Sequence, residues 1–346
     1  MVQMKKKAGV IFVWAGLLLA DAGAQLAGAD RAFDPSTIYR TGDGTLRVFC
    51  TGRGILQRTS ADGGKSWGSI ESVFTAPPEW WSKYAFKDAA WAPDVIRLGD
   101  RVFLYYSLST LGSRNSCIAL AVNETADLSG PWIDKGIVIS TTTKDNYNAI
   151  DPALIQEPDG RLWMAFGSYW SGIKLIELDA ETGLRKRPAG SRYDLASRGS
   201  NTNRSCEAAA LMAHPDGGYL LFVNWGTPPH GDGSNSTYEV RMGRAMKITG
   251  PYRDASGKSL LEGGGQPFLD KDRILPQADP QRRIGSGHIG VIHADLDGSG
   301  ARDWMSYFYY AAADGAVKLG LQQMNFGPDG WPVEGAVREV SPCTPW

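Results

Sequence analysis

Beyond its first two dozen residues the chain shows little 3.6-residue apolar periodicity. Short β-branched and aromatic runs alternate with Gly, Asp, Pro and Asn, a texture that predicts many short strands. One such run recurs five times: TLRVFCTG from Thr45, RVFLYYSLS from Arg101, RLWMAFGSY from Arg161, GYLLFVNWG from Gly218 and DWMSYFYYA from Asp303. Each follows a segment that opens on polar residues and closes on small or aliphatic ones: FDPSTIY, WAPDVIRL, IDPALIQE, CEAAALMA and GSGHIGVIH. Asp-Gly turns link the two at Glu157, His214 and Asp295, where a hairpin demands positive φ. A third run follows in CIALAVNE, IKLIELDA, YEVRMGRA and VKLGLQQM, and then a turn such as LSGPW, ITGPY or GPDGW. Four strands per unit, five times over, predict an all-β, five-bladed β-propeller with four-stranded blades around a central channel.

The N-terminus carries a different pattern. Lys5, Lys6 and Lys7 precede an apolar stretch over residues 8–20 that is too short to span a bilayer, and Ala22-Gly23-Ala24 follows. Residues 1–24 therefore read as a cleavable secretory signal peptide, with an uncleaved anchor as the alternative. Residues 25–346 are then expected to form a single propeller domain, secreted or periplasmic, monomeric and without a transmembrane segment once the signal is removed. Loss of the signal moves the formal charge from −1 to −3, with 33 basic against 36 acidic residues, a balance that offers nothing to nucleic acid. Cys50, Cys117, Cys206 and Cys343 form no CxxC pair and none lies near a His at metal-ligand spacing, which leaves no zinc pattern. In an oxidising compartment they allow up to two disulfides in three connectivities, and the pairing stays open.

In a propeller the first strand of every blade lines the channel, so residues near one end of the five first strands converge. The reference carboxylates Asp34, Asp94, Asp151 and Glu207 are spaced by 60, 57 and 56 residues, and the fifth unit offers His288 after a longer gap. Gly- and Pro-rich stretches over residues 226–236 and 263–283 read as loops inserted on the fourth unit and account for that gap. A lone Asp before Pro is an ordinary turn starter. Carboxylates at matching places in several units are harder to explain that way, and Glu207, between Cys206 and an Ala-Ala-Ala-Leu run, reads as an acid on a buried strand. Two carboxyls flanking one bond are what glycoside hydrolysis requires.

The series DPS at Asp34, WAPDV at Trp91, NAIDPAL at Asn148, GSYWSGIKL at Gly167, CEA at Cys206, STYEVRMGR at Ser236, TGPY at Thr249, LEGGG at Leu261 and GSGHIG at Gly285 resembles glycoside hydrolase family 43, in its branch of arabinan endo-1,5-α-L-arabinanases. The likeness runs in order through nearly the whole mature chain. It implies an inverting mechanism on arabinan or arabinose-containing side chains, with Asp34 as general base, Glu207 as general acid and Asp151 as the residue that orients the acid and adjusts its proton affinity. Asn148 and Ser168 would contact sugar. The family often has His before the base, Pro after Glu-Ala, and GPGH. Here Phe33, Ala209 and Ser286 stand in those places, and Phe33 is expected to change the floor of the sugar pocket. In that branch the histidine of the fifth blade helps to hold an ion, commonly calcium, so His288 is a candidate ligand acting largely through water; no organic cofactor is implied.

Trp80, Trp81, Trp91, Tyr169 and Trp170 are candidate sugar platforms, Trp91 being favoured, since with twelve Trp in the chain many must be core. Within the family, an exo-acting α-L-arabinofuranosidase or a β-xylosidase is the alternative. The segment SADGGKSW at residues 60–67 fits the Asp-box of sialidases, a rival reading, but a sialidase would show several copies and an arginine cluster. A non-catalytic glycan-binding propeller would keep the aromatics and lose an acid.

Overall fold

The computed structural model describes residues 32–186, 191–199, 205–228, 236–269, 283–293 and 303–338. The segment read as a signal peptide, Cys343 and most of the two inserted stretches lie outside the described residues. The protein is a five-bladed β-propeller of antiparallel sheets. Blade I comprises Tyr39–Arg40, Leu46–Cys50, Leu56–Ser60 and Glu71–Ser72; blade II comprises Ala89–Leu98, Arg101–Leu108, Ser116–Asn123 and Trp132–Thr141, with the short piece Gly52–Arg53 paired onto its first strand. Blade III comprises Ala153–Gln156, Leu162–Phe166, Ile173–Leu178 and Arg192–Ala196; blade IV Cys206–Ala213, Tyr219–Trp225, Glu239–Ala245 and Gln266–Pro267; blade V Arg283–His293, Asp303–Ala311, Val317–Phe326 and Pro332–Arg338. Among the described residues no helix is long and apolar enough to cross a membrane.

The apolar core lies between blades, and this explains why the second strands read as unbroken apolar runs. Side chains alternate across a strand, and each sheet has a neighbour on both faces. In blade III, Leu162, Met164 and Phe166 pack toward blade II, whereas Trp163 and Ala165 pack toward blade IV. Blade IV repeats the rule, with Leu221 and Val223 toward blade III and Leu220 and Phe222 toward blade V. Blades I and II share a core around Phe49, Trp81, Leu104 and Tyr106, so Trp81, fully buried there, is core and no sugar platform. Trp80 packs on the same core with its indole N–H donating to Asp134, away from the channel mouth.

The ring closes between blades V and I. Val48, Cys50 and Trp67 pack there against Trp304, Leu319 and Leu321, and the Ser306 hydroxyl donates to the carbonyl of Ser36 at 2.8 Å. Trp67 belongs to the Asp-box segment, which is the turn between the third and fourth strands of blade I. Asp62 there accepts from the Ser60 and Ser66 hydroxyls and from the Ser66 amide. Cys50, Cys117 and Cys206 are free and buried, each in a different inter-blade core, so no two of them pair.

Closure requires a close backbone approach at Gly290, where a Cβ would lie 2.5 Å from the Thr37 amide nitrogen and 2.6 Å from the Ser36 carbonyl oxygen. Gly290→Ala should cost about 1–3 kcal/mol of stability through this overpacking. At Gly42 a Cβ meets nothing within 4 Å, and Gly42→Ala should be close to neutral. Chemical denaturation of both variants checks the contrast.

Candidate active site

Near the channel mouth every blade passes through one residue in the left-handed region: Asp34 (φ 47°), Ala92 (φ 40°), Asp151 (φ 59°), Ala208 (φ 50°) and His288 (φ 54°). Side chains other than Gly rarely sit there, so each bend must be held by its surroundings. The holders come from the end of the second strand of the preceding blade. The Ala92 amide donates to the Thr51 hydroxyl at 2.8 Å, the Asp151 amide to the Ser107 hydroxyl at 2.9 Å, and the His288 amide to the Asn224 side-chain carbonyl at 2.9 Å. In blade III the corresponding position is Gly167, at φ 130°, where a Cβ would lie 2.6 Å from the Gly172 carbonyl oxygen. With no side chain available there, the carboxylate of Asp151 accepts the Ala208 amide at 3.2 Å.

This ring corrects the equivalence expected from the near-regular spacing of the four carboxylates. Asp34, Asp151 and His288 are equivalent, but Asp94 lies two residues beyond its bend and Glu207 one residue before its own. The first strands of blades II, IV and V carry bulges here, which absorb residues and shift the register. Asp94 is structural. Buried inside the channel wall, it accepts the Thr37 amide of blade I at 3.0 Å and the Leu154 amide of blade III at 2.8 Å, tying three blades together. Glu207 belongs instead with the residues preceding the other bends, Phe33, Trp91 and Ile150, all of which face the mouth.

The mouth holds a pocket of about 560 Å³. Asp34, Asp151, Glu207 and His288 meet in its lining with Phe33, Trp91, Asn148, Ser168, Tyr169 and Trp170. The expected acids, His288, Phe33, Asn148 and Ser168 are therefore brought to one cavity, and of the five candidate platforms Trp91, Tyr169 and Trp170 form its aromatic walls whereas Trp80 and Trp81 do not reach it.

Glu207 is held at both oxygens, by the Ser168 hydroxyl at 2.7 Å and the Tyr238 hydroxyl at 3.0 Å. Tyr238 stacks on Phe308, and Phe308 stacks on Phe33 at 4.6 Å, so the Phe that departs from the usual His supports the placement of Glu207. A Cβ on Gly287 would lie 2.4 Å from the Tyr238 ring, which is why the position before His288 has no side chain. The Thr51 hydroxyl donates to Asp34 Oδ2 at 2.7 Å, while Asp34 Oδ1 lies 3.5 Å from His288 Nδ1. Asn148 is 3% exposed and its side-chain carbonyl oxygen has no hydrogen-bond partner among the described residues, an unusual state for a buried polar atom and one suited to a ligand hydroxyl.

Crowding buried acids together raises their proton affinity. Burial pushes Asp34 up to about 7, against the Thr51 hydrogen bond and with help from Glu207. Burial, then the charges of Glu207 and Asp34, hold Asp151 well above the usual carboxylate range. Glu207 is raised by burial, with the Ser168 and Tyr238 hydrogen bonds opposing. Burial lowers His288 to about 4, so its ring is neutral near pH 7.

A model of glycosyl hydrolases family 43 matches residues 29–332. This chain belongs to glycoside hydrolase family 43. It is 39% identical to the extracellular endo-α-(1→5)-L-arabinanase 1 of Bacillus subtilis, over 94% of each chain. It is 33% identical to an extracellular exo-α-(1→5)-L-arabinofuranosidase of Cellvibrio japonicus, over 86% of this chain and 85% of that one. Among solved structures, the family 43 endo-arabinanase from Bacillus licheniformis superposes with a TM-score of 0.75 at 36% identity, covering 88% of this chain and 98% of that one. The protein is thus a glycoside hydrolase, and family membership replaces the sialidase and non-catalytic readings of the Asp-box and the aromatics.

Sequence reasoning gave no role to Thr51, Ser107, Asn224, Tyr238 or Phe308. The first three end aligned second strands, as VFCT, FLYYS and LLFVN, and comparing those ends would have found them. Tyr238 sat unassigned within STYEV, and nothing local ties it to Glu207, 31 residues away.

A carboxyl whose pKa is raised by folding adds stability below its unfolded value and withdraws it as pH rises through the folded value. Asp151→Asn keeps an acceptor for the Ala208 amide and removes that withdrawal. Its melting temperature should therefore exceed that of the wild type increasingly as pH rises from 5 to 8. Thermal melts across that range test it; a difference that does not change with pH refutes the electrostatic reading of this cluster.

Proposed function

We propose that this family 43 hydrolase is a secreted or periplasmic enzyme that cleaves α-1,5-linked L-arabinan with inversion. The observation that carries the reading is the meeting of three carboxyls from three blades, buried Asp151 and half-buried Asp34 and Glu207, in one aromatic-walled pocket. The names of the relatives support the substrate, and two of them are called extracellular. The Lys-led apolar stretch at the N-terminus supports export.

In this mechanism Trp91, Tyr169 and Trp170 cover apolar sugar faces, and the Asn148 carbonyl accepts a sugar hydroxyl. Removal from water, with like-charge repulsion added at Asp34 and Asp151, keeps the three acids from ionising together, so one proton stays within the cluster near neutrality. Glu207 holds it and gives it to the leaving oxygen as the glycosidic bond breaks. Asp34, ionised, takes a proton from the water that attacks the anomeric carbon from the opposite side. Asp151 positions the acid through the Ala208 amide and resists its ionisation. Exchange with solvent returns a proton to Glu207 and removes one from Asp34.

Calcium is tested by the donors available. Among the described residues no cluster of three or more His, Cys, Asp or Glu is arranged to hold a metal, and Asp94 is already engaged by two amides. His288 is neutral and lines both the mouth pocket and a second cavity of about 510 Å³ further along the channel. There is room for a hydrated ion with one protein ligand, and the remaining six or so oxygen donors that calcium prefers would be water. Such an ion would supply positive charge beneath the acids.

Debranched arabinan is the test substrate. Short oligomers early in the time course mean endo cleavage and arabinose alone means exo cleavage, while proton NMR of fresh product reports the anomer. Glu207→Gln should lower the rate on arabinan about 10²–10⁴-fold with folding intact, and should recover part of it on an aryl arabinoside whose leaving group needs no proton. Retention of near-wild-type activity on arabinan, or the retained anomer, overturns the mechanism.

The ion is tested by chelation. The wild type should lose activity with chelator and regain it with calcium, whereas His288→Ala, already impaired, should lose little more. An equal chelator effect on both proteins places any ion elsewhere.

A further inference from the structure

We infer that Thr51 is a positioning residue that decides which oxygen of Asp34 acts as the base, an inference that rests on the proposed role of Asp34. The geometry fixes the direction of its hydroxyl proton. The Ala92 amide donates to Thr51 Oγ1 at 2.8 Å, so that oxygen is an acceptor on one side. The carboxylate of Asp34 offers only acceptors, so the hydroxyl proton points to Asp34 Oδ2, 2.7 Å away. Oδ2 is thereby occupied. Oδ1, on the side of His288, is left as the oxygen that receives the proton of water.

Thr51 differs in this from the residues at the same place in other blades. Ser107 and Asn224 also hold the bend of the next blade, but neither has a hydrogen bond to a pocket carboxylate. One hydroxyl therefore couples the bend of blade II, which follows Trp91, to the carboxylate of blade I. The backbone of Thr51 adds to the fixation, since its amide donates to the Phe33 carbonyl at 2.9 Å, next to Asp34. Removing the hydroxyl lets the carboxylate rotate between equivalent orientations, only some of which face the attacking water.

The two duties of the hydroxyl separate in kinetics. Loss of the clamp on Ala92 disturbs the aromatic wall at Trp91 and appears in KM, whereas loss of the hold on Asp34 appears in kcat. Thr51→Val on debranched arabinan removes both duties, so it should lower kcat roughly ten- to a hundredfold and raise KM as well, and Thr51→Ser, which keeps both donor and acceptor, should restore both to near wild type. The dependence on Asp34 is read in a double mutant. In Asp34→Ala supplied with azide, a nucleophile that needs no base, Thr51→Val should cause no further loss of kcat. An effect confined to KM, failure of Thr51→Ser to rescue, or an equal loss in the azide-supplied Asp34→Ala background overturns the inference. If Thr51→Val does not fold, Thr51→Cys, of similar shape and a weaker donor, should give an intermediate kcat, and an unchanged kcat there overturns it as well. Full activity of Asp34→Ala without azide removes the base assignment itself, which separates failure of the parent reading from failure of this one.

Discussion

The site depends on a conformation that L-residues rarely adopt. At the mouth each blade bends through one left-handed residue, and two of the five, Ala92 and Ala208, carry no functional side chain. The bend is therefore a property of the scaffold before it is a property of the chemistry. It interrupts regular pairing, turns the flanking side chains toward the axis, and in four of the five blades is stabilised by an amide bonded across the blade boundary. Strain of this kind persists only where the surroundings over-determine it. Here the surroundings are the inter-blade cores, which fix the separation between neighbouring sheets.

The same cores make the acids chemically useful. Asp34, Asp151 and Glu207 lose most of their contact with water when the ring closes, and this is the largest influence on the proton affinity of all three. Hydroxyl groups then differentiate them. Asp34 has one such donor, Glu207 has two, and Asp151 has a backbone amide. A cluster that resists full ionisation destabilises the protein at alkaline pH, which is how a site of this kind exchanges stability for the ability to retain a proton.

The departures from the usual family pattern fit into packing. Phe33 joins Phe308 and Tyr238 in a stack that ends on Glu207, so its apolar ring acts through the acid as well as lining the pocket. Ala209 is buried in the core between blades III and IV, where the bulge after Glu207 is closed by the pairing of Ala210 with Phe222. The placement of Glu207 is secured by Ser168, Tyr238 and the Asp151 contact to Ala208, without a proline at the following position.

The architecture was legible in the sequence because its cause is local and repeated. Five apolar runs, buried on both faces, and the Asp-Gly turns between strands state the blade count directly, and the acids were found because first strands must line the channel. What the sequence left undetermined is register. Near-equal spacing made Asp94 and Glu207 look equivalent to Asp34 and Asp151, because a bulge adds a residue without leaving a mark in composition. Only the tertiary structure separated the carboxylate that staples three blades from those that face the pocket. It alone brought Tyr238 to Glu207 and Thr51 to both Asp34 and the next blade. The hydroxyls of Thr51 and Tyr238 are ordinary in a strand, and their meaning comes from distances that the ring sets when it closes.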